Sequence, residues 1–156
     1  MKILTQTNNR LLSISMLMLR CTVGIILFIA GAEKMMGWFG GRGLEATVDA
    51  FVSNMSIPAF LAYLCCFTEF IGGFLLIIGL LTRPVAVAVT INMLVATWEL
   101  SAHRFFLLSH ATYPFSLMVS SVVILFAGPM DYSIDWLIFH GLSFKLRSRT
   151  NKRKIA

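Results

Sequence analysis

IPAFLAYLCCFTEFIGGFLLIIGLL, residues 57–81, carries one charge, Glu69, near its centre. A helix over this stretch is about 37 Å long, enough to cross roughly 30 Å of hydrocarbon. A lone carboxylate at that depth costs roughly 2.5 to 3.5 kcal/mol on insertion scales, so Glu69 must face protein or water and find a partner. Residues 11–32, LLSISMLMLRCTVGIILFIAGA, have the same form with Arg20 as their single charge. Two shorter apolar stretches, 85–100 and 113–127, follow, separated by His103 and Arg104 where a turn back is expected.

Composition agrees. The chain has 156 residues, of which 58% are hydrophobic and 13% charged, with a mean hydropathy of +0.82, well above the apolar share of a soluble domain. The expected fold class is all-α: an integral membrane four-helix bundle over residues 1–140, followed by a basic tail over 141–156. Lys2 and Arg10 precede the first apolar run as they would in a signal peptide, but Arg20 inside it and the lack of a small-x-small cleavage site predict a retained span.

Lys2, Arg10 and Arg83, with Lys145, Arg147, Arg149, Lys152, Arg153 and Lys154, fall on one side of such a bundle. This predicts a multi-pass protein of the bacterial inner membrane with both termini cytoplasmic. Trp136, Leu137, Phe139, Leu142 and Phe144 alternate with polar positions and suit a C-terminal interfacial helix. The net charge of +6 is concentrated in the tail, where anionic membrane lipids account for it and a nucleic-acid partner does not.

Counting residues along the spans places Arg20, Glu69, Asn92 and Ser120 near one depth, at the midplane. Arg20 and Glu69 are the expected ion pair, assisted by Asn92. Helical spacing adds an outer layer: Arg20, Gly24, Leu27, Gly31, Lys34 and Trp38 share a stripe if the first helix continues, and so do Asn92, Ala96, Glu99 and His103. Tyr113, Ser116 and Ser120 share another. The candidate ligand-binding set is therefore Arg20, Lys34, Glu69, Asn92, Glu99, His103 and Tyr113, with Arg20, Glu69 and Asn92 at the floor of an outward-facing cleft. A structural ion pair and a head-group or proton-relay site are equally compatible with Arg20 and Glu69. Gly72, Gly73 and Gly79 are expected to serve helix packing.

No residue is assigned a catalytic role. His103, His110 and His140 do not oppose one another within the hydrocarbon core, and zinc spacings and phosphate-binding glycine loops are lacking, so neither a metal nor an intrinsic cofactor is expected. Cys21, Cys65 and Cys66 lie inside apolar stretches and read as small hydrophobes.

The run Leu19-Arg20, Gly24, Phe28, Gly31, Lys34 and Gly37-Trp38-Phe39-Gly40-Gly41 with Gly43-Leu44-Glu45 resembles the first span and following loop of DoxX-family membrane proteins. Pro58, Glu69, Gly72-Gly73 and Gly79-Leu80-Leu81-Thr82-Arg83 are similar to that family's second helix and turn. Asn92-Met93, Tyr113-Pro114, Gly128-Pro129 and Tyr132-Ser133-Ile134-Asp135 continue the likeness over about nine tenths of the chain. The family takes its name from a subunit of a thiosulfate:quinone oxidoreductase, and other members are associated with respiratory or oxidative-stress functions. The resemblance thus implies an accessory subunit of a quinone-linked membrane redox system, at most non-catalytic or quinone-binding. A quinone is then the ligand to expect within the bundle, with a redox partner protein. A non-enzymatic scaffold or assembly factor for an envelope complex is the alternative. A transporter is less favoured, since inverted repeats and broken helices are lacking and homo-oligomerisation would be needed to form a pore.

Overall fold

The computed structural model describes residues 9–101, 111–130 and 132–138. Its helices are α1 (Asn9–Met36), α2 (Leu44–Met55), α3 (Ala59–Ile78), α4 (Thr82–Ser101) and α5 (Thr112–Ala127), with a 3-10 turn at Trp38–Gly40. Residues 134–138 are also helical, and there is no strand among the described residues. The all-α expectation holds. Helices α1, α3 and α4 are long and apolar enough to cross a membrane, while α5 is a shorter apolar helix of 16 residues. Phe60 (74% exposed) and Phe126 (80% exposed) are among many large apolar side chains on the outside of the bundle. Such a surface is stable only against lipid. His103, Arg104, His110 and the tail lie outside the described residues, as does all of the expected interfacial helix beyond residue 138.

α1 and α3 run antiparallel with their backbones nearly touching. A Cβ on Gly73 would lie 2.5 Å from the Phe28 nitrogen and 2.8 Å from the Gly24 carbonyl oxygen, and one on Gly31 would collide with the Phe70 backbone. Small residues permit this approach in lipid, where close van der Waals packing replaces the hydrophobic effect as the force between helices. Phe28 stacks on Phe70, ring centroids 4.9 Å apart, and seals the seam. These contacts fix the register. Moving toward the end of α1 moves back along α3, from Gly24 against Ile77 to Gly31 against Phe70, so the Lys34 side chain reaches Glu69 and that of Arg20 reaches Gly79. The expectation that the glycines serve packing holds for Gly73, while Gly72 faces Val85 and Val89 of α4.

Gly79 ends α3 at a φ of +70°, a conformation open to glycine at little cost, and its N–H and that of Leu80 both bond the Leu75 carbonyl. The chain then reverses directly into α4. Buried Leu27, Leu76, Val89 and Ile124 from the four long helices meet in the core. Between α4 and α5 the polar contact is Thr90 with Ser121, 2.8 Å apart. Ser120, expected in a midplane polar layer, instead bonds the Ser116 carbonyl of its own helix.

α2 is a helix where the sequence resembles a loop following the first span. Its signals were present but weak: Gly43 before it, Glu45 in its first turn, and Thr47 and Val48 adjacent on the buried side. Thr47 donates to the Gly43 carbonyl at 2.7 Å, and α2 lies across the ends of α1 and α3, bringing Phe51 and Met55 over the space between α3 and α4. α1 stops at Met36 because Gly37 takes φ +68°, so Trp38 leaves the stripe expected for it and is half exposed.

Candidate functional site

Glu69 is 4% exposed, and its carboxylate Oε2 accepts a hydrogen bond from the Lys34 ammonium, forming a salt bridge. Its other oxygen, Oε1, lies 3.8 Å from the Cys65 thiol. The expected Arg20–Glu69 pair does not form. The α1–α3 register puts Arg20 about ten residues further along α3 than Glu69, roughly 15 Å away along the axis. Lys34, expected in the outer layer, is the cation paired with Glu69.

Arg20 is built into a different structure. Its guanidinium donates to the carbonyls of Pro129 (3.2 Å) and Tyr132 (2.6 Å) and rests against Gly79. Asp135 completes the arrangement: its Oδ1 accepts the Leu81 N–H at 2.9 Å and its Oδ2 the Thr82 N–H at 2.8 Å, while its own N–H bonds the Gly79 carbonyl at 3.0 Å. One residue therefore satisfies groups at the end of α3 and the start of α4, where helices leave donors and acceptors unpaired. Burial pushes the Asp135 carboxyl upward, but the two backbone donors and the nearby Arg20 charge outweigh it and hold it below the usual carboxylate range. Ser133 Oγ accepts the Trp136 N–H at 3.0 Å and so starts the helical turn over 134–138. The segment following Pro129 is thus locked to the α3–α4 turn by a buried arginine.

At the α2 end of the bundle, α3 and α4 diverge. They touch where a Cβ on Gly72 would meet Val85 Cγ1 at 3.3 Å. Beyond that apex lies a cleft of about 690 Å³, within the size range of small-molecule sites. Leu61, Leu64, Ile91 and Val95 line its apolar walls and are exposed on the side of the bundle, so the cleft is open laterally. Phe51 and Met55 of α2 border it from above. Its polar residues include Lys34, Glu69, Asn92 and Glu99, with the hydroxyl residues Ser56 and Thr68. Asn92 Nδ2 is buried and makes no conventional hydrogen bond, its side chain interacting with the weak acceptor Cys65; leaving such a donor without a full hydrogen bond costs roughly 1 to 3 kcal/mol.

A second cavity of about 400 Å³ adjoins it, lined by Lys34, Glu69, Ala96, Leu100, Thr112, Tyr113 and Pro114. Of the seven candidate positions, then, the fold gathers Lys34, Glu69, Asn92 and Glu99 at one cleft and sets Tyr113 in the neighbouring cavity. It removes Arg20 to the opposite end, and His103 lies outside the described residues. Cys65 and Ala96 belong to the site but were not singled out as ligand-binding, since a cysteine and an alanine in an apolar run give no polar signal.

The DoxX family model matches residues 15–104 of this chain. A Bacillus subtilis (strain 168) protein named "Putative oxidoreductase CatD" is 31% identical over 135 residues, which cover 85% of this chain and 93% of that protein. No solved structure matches.

Proposed function

Since the chain belongs to the DoxX family and folds as a helical membrane bundle, we propose that it serves a quinone-linked redox system of the membrane by holding a quinone head group in the cleft between α3 and α4. The observation that carries this reading is the buried Asn92 Nδ2, which makes no conventional hydrogen bond, in a mostly apolar cleft beside the Lys34–Glu69 pair. An amide N–H left without a full hydrogen bond fits a ligand carbonyl, and the lateral opening fits a ligand with an apolar tail that arrives through lipid. The name of the Bacillus subtilis relative supports the redox assignment. The lowest-cost orientation puts the α3–α4 turn, with Arg83, on the cytoplasmic side of a bacterial inner membrane.

A bound quinone would supply two-electron, two-proton chemistry. The chain's own residues have simpler tasks. Asn92 orients a carbonyl, Lys34 places positive charge beside it, Glu69 holds or releases a proton, and the walls exclude water from the tail. No residue supplies electrons, so a redox partner protein is part of the proposal.

Native mass spectrometry of protein purified with its lipids tests this directly. A retained quinone, lost in Asn92→Leu and weakened in Lys34→Met, is expected. Absence of quinone from the wild-type protein, together with quinone-linked electron transfer unchanged by either substitution, would refute it and favour a scaffold that stabilises an envelope complex.

A further inference from the structure

We propose that the Lys34–Glu69 pair is the partition between two compartments: the lipid-facing cleft, and a water-filled vestibule through which proton exchange at the site reaches the aqueous phase at the α2 end. This rests on the cleft being the ligand compartment. Both cavities are lined by the same four residues, Lys34, Glu69, Ala96 and Leu100. The pair thus has one face toward each. The cleft is larger and mostly apolar in lining, with Leu61, Leu64, Ile91 and Val95 on its lipid-facing walls. Among the described residues, the second cavity is lined by the charged Lys34 and Glu69 and by the hydroxyl residues Thr112 and Tyr113, both exposed, around about 400 Å³.

Such a space holds water, because it is roomy and offers several polar partners. Lys34 demands it. An ammonium has three N–H donors, of which one is directed at Glu69, and its side chain is 30% exposed against 5% for Glu69. Glu69 lines both spaces; its Oε1 lies 3.8 Å from the Cys65 thiol, which borders the cleft alone, and its Oε2 is bonded to Lys34. Among the described residues, the titratable groups around the pair are Glu33 on α1, Cys65 and Cys66 on α3, Glu99 on α4 and Tyr113 on α5. A proton leaving a ligand hydroxyl forms the Glu69 O–H while the electron pair stays on the ligand oxygen. That O–H then breaks to vestibule water, restoring the carboxylate that Lys34 stabilises. Protons are therefore exchanged on one side of the membrane only.

Ala96 is the position to probe, since it lines both spaces and leaves the ion pair intact. In full-length chain with Cys21, Cys65 and Cys66 changed to Ala and reconstituted in vesicles, Ala96→Cys is compared with Ile91→Cys, which lines the cleft alone. A sulfonated thiosulfonate reagent, excluded from lipid, should modify Ala96→Cys at least about tenfold faster, because only a hydrated thiol ionises readily. A lipid-soluble maleimide should modify both, which also establishes that both variants are folded and reachable. With that maleimide, the Ala96→Cys rate should rise about tenfold per pH unit, below the thiol pKa, when pH is raised on the α2 side alone. Charged reagent reacting no faster with Ala96→Cys than with Ile91→Cys, or a rate that follows pH on the opposite side, would overturn the vestibule. Quinone retention on the same preparation is read separately by mass spectrometry: a retained quinone with a dry Ala96 sinks the vestibule alone, and a hydrated Ala96 without quinone sinks the ligand reading alone.

Discussion

Neighbouring glycines in α3 should respond oppositely to the same substitution. Gly73→Ala puts a methyl 2.5 Å from the Phe28 nitrogen, and ordinary contact begins at 3.4 Å, so α1 and α3 must separate by about 0.9 Å. Because the obstacle is backbone, no rotamer change relieves it, and the cost falls toward the upper end of the roughly 1 to 3 kcal/mol typical of overpacking. Gly72→Ala meets Val85 Cγ1 at 3.3 Å, the end of a side chain that can yield by a tenth of an ångström. There the helix gains up to about 1 kcal/mol from replacing glycine. The two variants should thus differ by roughly 2 to 3 kcal/mol, or on the order of 5 to 10 °C in melting midpoint for a chain of this size. Thermal unfolding of detergent-solubilised protein, followed by size-exclusion chromatography of the fraction remaining monodisperse, measures this. Equal midpoints, or a Gly72→Ala variant less stable than Gly73→Ala, would refute the register from which the site is built.

Lys34→Met should destabilise by about 3 to 5 kcal/mol by stranding a buried carboxylate, and adding Glu69→Leu should recover most of it, read as the coupling energy of a double-mutant cycle. Arg20→Ala removes two charge-assisted hydrogen bonds to the segment after α5, worth about 1.5 to 3 kcal/mol each; limited proteolysis should then cut near residues 129–133 at rates well above wild type. Arg20→Lys should restore little of that protection, since a single ammonium cannot reproduce the guanidinium fork. Asp135 has a folded pKa below its unfolded value. Its contribution is therefore present above about pH 4, the unfolded carboxylate range, and is lost as pH falls through the lowered folded value. Asp135→Asn should lower stability at neutral pH and flatten the acid limb of a melting-point-against-pH curve; an unchanged limb would show that the capping hydrogen bonds carry no linkage.

The membrane class, the spans near 11–32 and 57–81, the glycine packing and the need for buried charges to find partners were legible in the chain alone. Each follows from a local quantity: hydropathy over a span, the side-chain volume at one position, or the cost of a charge in hydrocarbon. That Lys34, Glu69, Asn92 and Glu99 are candidates to be gathered at one cleft could be read for the same reason. Their partners could not. Depth counted from the ends of apolar runs put Arg20 beside Glu69, yet α1 continues to Met36, and backbone contact at Gly24, Gly31 and Gly73 sets the sliding register between antiparallel helices. A slide of 14 residues along α1 changes no hydropathy average but replaces Arg20 by Lys34 at Glu69 and sends Arg20 to the carbonyls of Pro129 and Tyr132. The divergence of α3 from α4 beyond Gly72, and the placing of α2 at the opening, depend likewise on how three helices share space. Sequence thus determines which groups are costly to bury, and tertiary packing alone decides which of them meet.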